Sequence, residues 1–190
     1  GPTLKITGNY GYTKNENVGL VNRVRDFVTS DQSDVSYTEQ SKDLRTNHRH
    51  VANMRLEYNP NDKTRILYIP RFSANLETEN SSFFGETSDK NTPINQVENQ
   101  RIGKYDDYDF FNRFIVSRKF ATPGRSLTWR SILHRGWNRD ESTRLATSLF
   151  FQDNETRSEI LNQQTRRERF GTFWETGLSY TEKIGAKGQL

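Results

Sequence analysis

The sequence predicts an all-β fold, an antiparallel up-and-down meander of about six long strands. Two runs of strand formers, 106–119 and 126–138, are joined by a turn that contains Pro123 and Gly124. Within the second run, apolar and polar side chains alternate over 127–137. Successive side chains of a strand point to opposite faces, so this alternation gives one apolar and one polar face. Because proline pre-sets φ and glycine tolerates a positive φ, we expect the chain to reverse here as a hairpin.

The composition supports a folded sheet. Of the 190 residues, 31% are hydrophobic, 27% are charged and 12% are aromatic, and the net charge is +4. Disordered chains are usually poor in aromatic residues and unbalanced in charge. The chain has no cysteine, which excludes disulfides, thiolate metal sites and cysteine nucleophiles. Its charges are scattered in both signs without a basic stripe, so we expect no nucleic-acid partner.

Alternation predicts the remaining strands, which in chain order are 3–13, 47–58, 65–77 and 167–183. Pro70 lies inside the third of these runs. Because proline cannot donate a backbone hydrogen bond, we expect Pro70 to occupy an edge strand, a bulge or a strand start.

The connections between strands are of two predicted kinds. Tight turns are expected near residues 60, 123 and 187, and long polar loops are expected at 14–45, 79–104 and 139–165. Loops on a rigid sheet usually carry function, so we expect ligand contacts there. Short turns on one side and long loops on the other are typical of an outer-membrane β-barrel. A soluble antiparallel sandwich explains the alternating faces equally well.

Three strand-and-turn segments resemble the outer-membrane β-barrel proteins akin to TonB-dependent receptors. The matching phrases are NMRLEYNP at 53–60, FATPGRSL at 120–127 and YTEKIGAKGQL at 180–190. The resemblance implies that residues 1–190 form one barrel segment, with no plug domain, in the outer membrane of a Gram-negative bacterium. It also implies a role in nutrient uptake or surface ligand binding. The alternative is a soluble antiparallel β-sandwich that binds glycan or protein at the cell surface.

The barrel interpretation assigns roles to particular side chains and partners. The side chains expected to face the lumen are Arg55, Arg71, Asn75, Arg113, Arg130 and Glu175. The aromatic residues expected at the membrane interface are Tyr58, Tyr68, Trp129, Trp137, Trp174 and Tyr180. The implied partners are membrane lipid, the remainder of the barrel and its plug, and a surface lipoprotein or a periplasmic energy-coupling protein.

Two clusters of side chains resemble reactive sites. His48 and His50 lie two residues apart, which on a strand places both rings on one face, and we expect exposed histidines at a strand entrance. Asp106, Asp107 and Asp109 lack the ligand spacing of a calcium loop, so we expect a polar rim at a loop–strand junction. No nucleophile or phosphate-binding motif is present. We therefore expect no enzyme activity, no cofactor and no metal.

Overall fold

A computed structural model describes residues 1–28, 34–90, 92–152, 155–184 and 188–189. Six long strands form one antiparallel sheet in the order of the sequence. They are β1 (Thr3–Val28), β2 (Asp34–Asn61), β3 (Thr64–Asp89), β4 (Thr92–Lys119), β5 (Ser126–Gln152) and β6 (Glu155–Thr181). A separate two-stranded ribbon follows, formed by β7 (Lys183–Ile184) and β8 (Gly188–Gln189). The predicted all-β meander of about six long strands is confirmed, and the sheet is not closed.

The tight reversals near 60 and 123 are confirmed. Between β2 and β3, the Lys63 amide donates to Asn61 Oδ1 at 3.0 Å. Between β4 and β5, the Arg125 amide donates to the Thr122 carbonyl at 3.2 Å, and Gly124 has φ +86°. The third predicted turn falls on 185–187, which lie outside the described residues, although β7 and β8 pair on either side of it.

The prediction of long loops is wrong. Most of 14–45, 79–104 and 139–165 continues the strands, and the far hairpins leave only 29–33, 90–91 and 153–154 between paired strands. The predicted contrast between short and long connections is therefore also wrong. Side chains in these extensions pair across strands, as in Ser36 Oγ to Ser88 Oγ at 3.0 Å. A backbone ladder does not need apolar side chains, so a strand that is polar on both faces shows no period of two.

Pro70 lies in an interior strand, so the expectation of an edge or strand start is wrong. Strand β3 pairs with β2 on one side and with β4 on the other. The ladder between β2 and β3 lacks two successive partner pairs beside Pro70, and it resumes at Asn53–Arg71 and Leu56–Tyr68 without a change of register. The sheet therefore accommodates the missing donor by an interruption in one ladder and not by a bulge at Pro70.

We predict that Pro70→Val stabilises the sheet by about 1 kcal/mol, because valine restores an amide donor beside the interrupted ladder. The measurement is the urea midpoint of the purified chain. Pro93→Val is the matched control, because Pro93 lies at a register shift near the hairpin and not beside an interruption in a ladder. An unchanged or lower midpoint for Pro70→Val would contradict this account of the interruption.

Candidate functional site

The register of the ladders assigns every described strand residue to one of two faces. Partner residues in an antiparallel ladder point to the same side of the sheet. The first row of partners runs through Leu4, Tyr58, Ile66, Val116, Trp129 and Leu178. Another row, eight residues further along each strand, runs through Tyr12, His50, Ala74, Tyr108, Trp137 and Phe170. We call the face that carries these rows the apolar-band face, and the other the polar face.

Between these two rows the apolar-band face carries mostly large apolar and aromatic side chains. Its segments, which together we call the apolar band, are 4–12, 50–58, 66–74, 108–116, 129–137 and 170–178. On the edge strand β6 these side chains are largely exposed, with Leu178 70% and Trp174 68% exposed, whereas most of those on the interior strands are half-buried. In the described part of the chain no second layer packs on them. A contiguous apolar surface of this extent marks a site of contact with lipid or with another protein.

The row from Tyr12 to Phe170 is an aromatic row at one border of the band. Tyr108 stacks on Trp137 with ring centroids 5.1 Å apart, and Trp137 stacks on Phe170 at 6.3 Å. At the other end of the row, the Tyr12 ring lies 4.9 Å from the ring of His50. Amphipathic rings of this kind are enriched where apolar surroundings meet water.

The next two rows along the strands are charged on β4, β5 and β6. One row runs Asp106, Arg139, Glu168 and the other runs Lys104, Glu141, Arg166, so the signs alternate in both directions. Arg139 donates to Glu141 at 2.6 Å and Arg166 donates to Glu168 at 2.7 Å. The hydrogen bond from Arg139 lowers the pKa of Glu141. We call these six residues the charged rows; they place a sharp change of polarity directly beside the aromatic row.

All six aromatic residues expected at the interface lie on the apolar-band face. Trp129 and Tyr58 belong to the first row and Trp137 to the aromatic row, whereas Trp174 lies in the middle of the band. Tyr58, Tyr68, Trp129 and Tyr180 lie within five residues of a strand end, whereas Trp137 and Trp174 lie further inside β5 and β6. In register, Tyr58 and Trp129 mark one border of the band and Trp137 marks the other.

All six side chains expected to face the lumen lie on the polar face. Arg130 forms an ion pair with Glu175, and Arg55 donates to Glu57 at 3.1 Å. The Arg113 guanidinium lies 5.8 Å from the centroid of the Phe111 ring. Asn75 and Arg71 share the face with these groups through the register with β4, but they are not part of those ion pairs.

A hydrogen-bonded cluster that the sequence did not predict surrounds Glu79 on the polar face. Glu79 is 8% exposed and accepts from Arg45 at 3.2 Å and from the Tyr105 hydroxyl at 2.7 Å. The Tyr105 hydroxyl also accepts from Arg101 at 2.8 Å. Burial, together with the hydrogen bond to Glu79, raises the pKa of Tyr105. Arg45, Glu79 and Arg101 lie within predicted loops. The one sequence signal of the cluster, a Gly-x-Tyr at 103–105, does not predict the contact with Glu79 until the register is known.

The histidine and aspartate clusters both lie within strands. His48 and His50 share the apolar-band face, and their Nδ1 atoms are hydrogen-bonded to the hydroxyls of Tyr12 at 2.7 Å and Tyr10 at 2.6 Å. They lie in the middle of β2 and not at a strand entrance. The predicted loop–strand junction is likewise wrong, since the aspartates lie within β4; Asp109 is hydrogen-bonded to His134.

The described residues contain no group of three or more His, Cys, Asp or Glu side chains that could hold a metal ion. They also contain no helix long and apolar enough to cross a membrane.

Comparison with known proteins leaves the family open. A scan against models of protein families finds no match, and a search of curated proteins finds no significant relative. Among solved structures, this chain is similar to a chain of the membrane pore complex of pneumolysin, with 8% identity and a TM-score of 0.23. The match covers 90% of this chain and 31% of that chain, so this chain spans about a third of its length. A TM-score this low carries no argument about fold or function.

We predict that Gly103→Ala destabilises the sheet by about 1–3 kcal/mol. The Tyr105 side chain lies over Gly103, and a Cβ there would be 2.6 Å from the Tyr105 hydroxyl, so the ring must leave Glu79 without its hydrogen bond. The measurement is the urea midpoint. Gly136→Ala is the control, because a Cβ at Gly136 meets nothing within 4 Å. In a Tyr105→Ala background the cost of Gly103→Ala should disappear; an equal cost in both backgrounds would contradict the mechanism.

Proposed function

We propose that this chain is a wall segment of an outer-membrane β-barrel receptor or transporter in a Gram-negative bacterium. The observation that carries the proposal is the apolar band, whose segments lie in register on all six strands. A tilted membrane-spanning strand needs about 9–11 residues. A segment such as 4–12 meets the lower end of that range.

The borders of the band support the proposal. The aromatic row fits the interface between lipid and water, and the charged rows beside it fit the aqueous side of that interface. A solvent-exposed ion pair contributes about 0–1 kcal/mol, so the charged rows are explained better by their position in water than by stability. The strands continue beyond the charged rows, where polar residues are mixed with exposed apolar residues such as Leu20, Ile102 and Ile160.

The polar face supports a lumen. At the height of the apolar band it carries Arg55, Arg71, Arg113 and Arg130 on neighbouring strands. Barrel strands alternate between an apolar outer face and a polar inner face. The contrast between the two faces fits a wall with lipid on one side and water on the other. We therefore assign the expected ligand contacts to this face of the strands and not to loops.

A soluble sandwich would require a second sheet on the apolar band. The six described long strands form one layer, and among the described residues no second layer packs on the band. The decisive experiment compares the purified chain in plain buffer with the chain added to phosphatidylcholine vesicles. A monodisperse monomer in plain buffer that ignores the vesicles would overturn the membrane proposal.

We predict that bromine atoms on lipid chains quench the tryptophans according to their register row. Trp174 lies in the middle row of the band and Trp137 in the aromatic row at its border. In single-tryptophan variants, with the other tryptophans replaced by phenylalanine, bromines deep in the acyl chain should quench Trp174 more than Trp137. Bromines near the headgroup should reverse the order. Equal quenching of both at every depth would argue against a sheet that spans the bilayer along its strands.

We predict that Leu133→Arg lowers stability in vesicles by about 2–4 kcal/mol, because it places a charge at the middle of the apolar band. His134→Arg is the matched control: position 134 lies one residue along on the polar face, and arginine keeps a hydrogen-bond donor beside Asp109. The measurement is the urea midpoint of vesicle-bound protein. Equal midpoints for the two variants would contradict the assignment of the lipid-facing side.

A further inference from the structure

We propose that Arg71 and Arg113 form a binding site for an oxyanion on the polar face. The inference rests on the proposed function and deepens it by naming a ligand class. The ligand is a small molecule with a carboxylate or phosphate group that two guanidinium groups hold together.

The register brings the two arginines together. Arg71 pairs with Phe111, and Ile69 pairs with Arg113, so the arginines are diagonal neighbours on adjacent strands. Diagonal neighbours lie about 7–8 Å apart, a spacing that two long side chains can close around one anion. Phe111 is the direct partner of Arg71, and the Arg113 guanidinium sits 5.8 Å from the centroid of the Phe111 ring. An aromatic face orients a guanidinium and leaves its N–H groups free for a ligand.

Neither guanidinium is neutralised by the sheet itself. Among the described residues, Arg71 and Arg113 form no ion pair, and both side chains are exposed. The nearest carboxylate by register is Asp109, diagonal to Arg71 on β4, and it is hydrogen-bonded to His134. Two guanidinium groups that form no ion pair favour an anion as their partner.

The neighbouring groups are also suited to an anion. The register row through Arg71 runs Asn9, Asn53, Arg71, Phe111, His134 and Phe173, and it contains no carboxylate. Asn53 is the direct partner of Arg71 and has an amide N–H₂ group to donate.

Charge at this height of the polar face is not balanced. Arg55 and Arg65 share the single carboxylate of Glu57, whereas further along the strands Glu79 neutralises Arg45. A wall with excess arginine charge selects anions in a pore.

The test is titration calorimetry on the full chain with inorganic phosphate and, separately, succinate, at constant ionic strength set with choline chloride. We expect saturable binding of at least one of the two, and the better ligand identifies phosphate or carboxylate as the preferred group. Arg71→Gln and Arg113→Gln should each weaken binding about tenfold, and the double variant should remove it. Arg101→Gln is the matched control, because Arg101 lies on the same face and already contacts Glu79 and Tyr105.

Absence of binding by either anion would overturn the inference, as would equal binding by the double variant. The titration is made in whichever medium the chain folds, in detergent, in vesicles or in buffer, with circular dichroism of each variant as the check of folding. Anion binding by a chain that folds in buffer and ignores vesicles would remove the membrane proposal and retain the site. Insertion into vesicles without anion binding would remove the site and retain the membrane proposal.

Discussion

The structure depends on one constraint, the common register of six antiparallel strands. Because partners share a face, the register collects residues from positions as distant as Tyr12 and Phe170 into a single row. A slip of one residue in any ladder would move an entire strand's apolar side chains to the polar face. Sheet, apolar band and charged rows are therefore three consequences of the same backbone pairing, and the interruption at Pro70 matters little because the register is the same on both sides of it.

The sequence predicts those parts of the fold in which the two faces differ. Alternation over 127–137 identifies both the strand and its faces, and the turn at Pro123–Gly124 fixes the antiparallel direction. The same alternation assigns Arg113 and Trp129 to opposite faces. The ladder between β4 and β5 then places residues of the same face side by side. Where both faces are polar, as around Ser36 and Ser88, the period disappears from the sequence although the ladder continues.

The charged rows and the Glu79 cluster could not be predicted, because each depends on which residue pairs with which. Asp106, Arg139 and Glu168 are widely separated in sequence and meet through two ladders whose relative register no single strand specifies. The same is true of Tyr105, which crosses Gly103 to reach Glu79 on the neighbouring strand. The sequence alone shows charges of both signs scattered along the chain. The register places six of them side by side as the charged rows.

The apolar band reaches both edge strands, where Ile6 is 58% exposed and Leu178 is 70% exposed. An edge strand presents unpaired backbone groups, and in hydrocarbon each unpaired group costs several kcal/mol. Hydrocarbon would favour the apolar side chains of the band and would also penalise the unpaired backbone groups of the edge strands β1 and β6. Under the proposed membrane assignment, a strand that pairs with β1 or β6 would continue the rows, with an apolar residue opposite Ile6 or Leu178 and a charged or polar residue beyond Tyr12 or Phe170. This requirement restricts which chain segments can complete the wall far more than backbone pairing alone would.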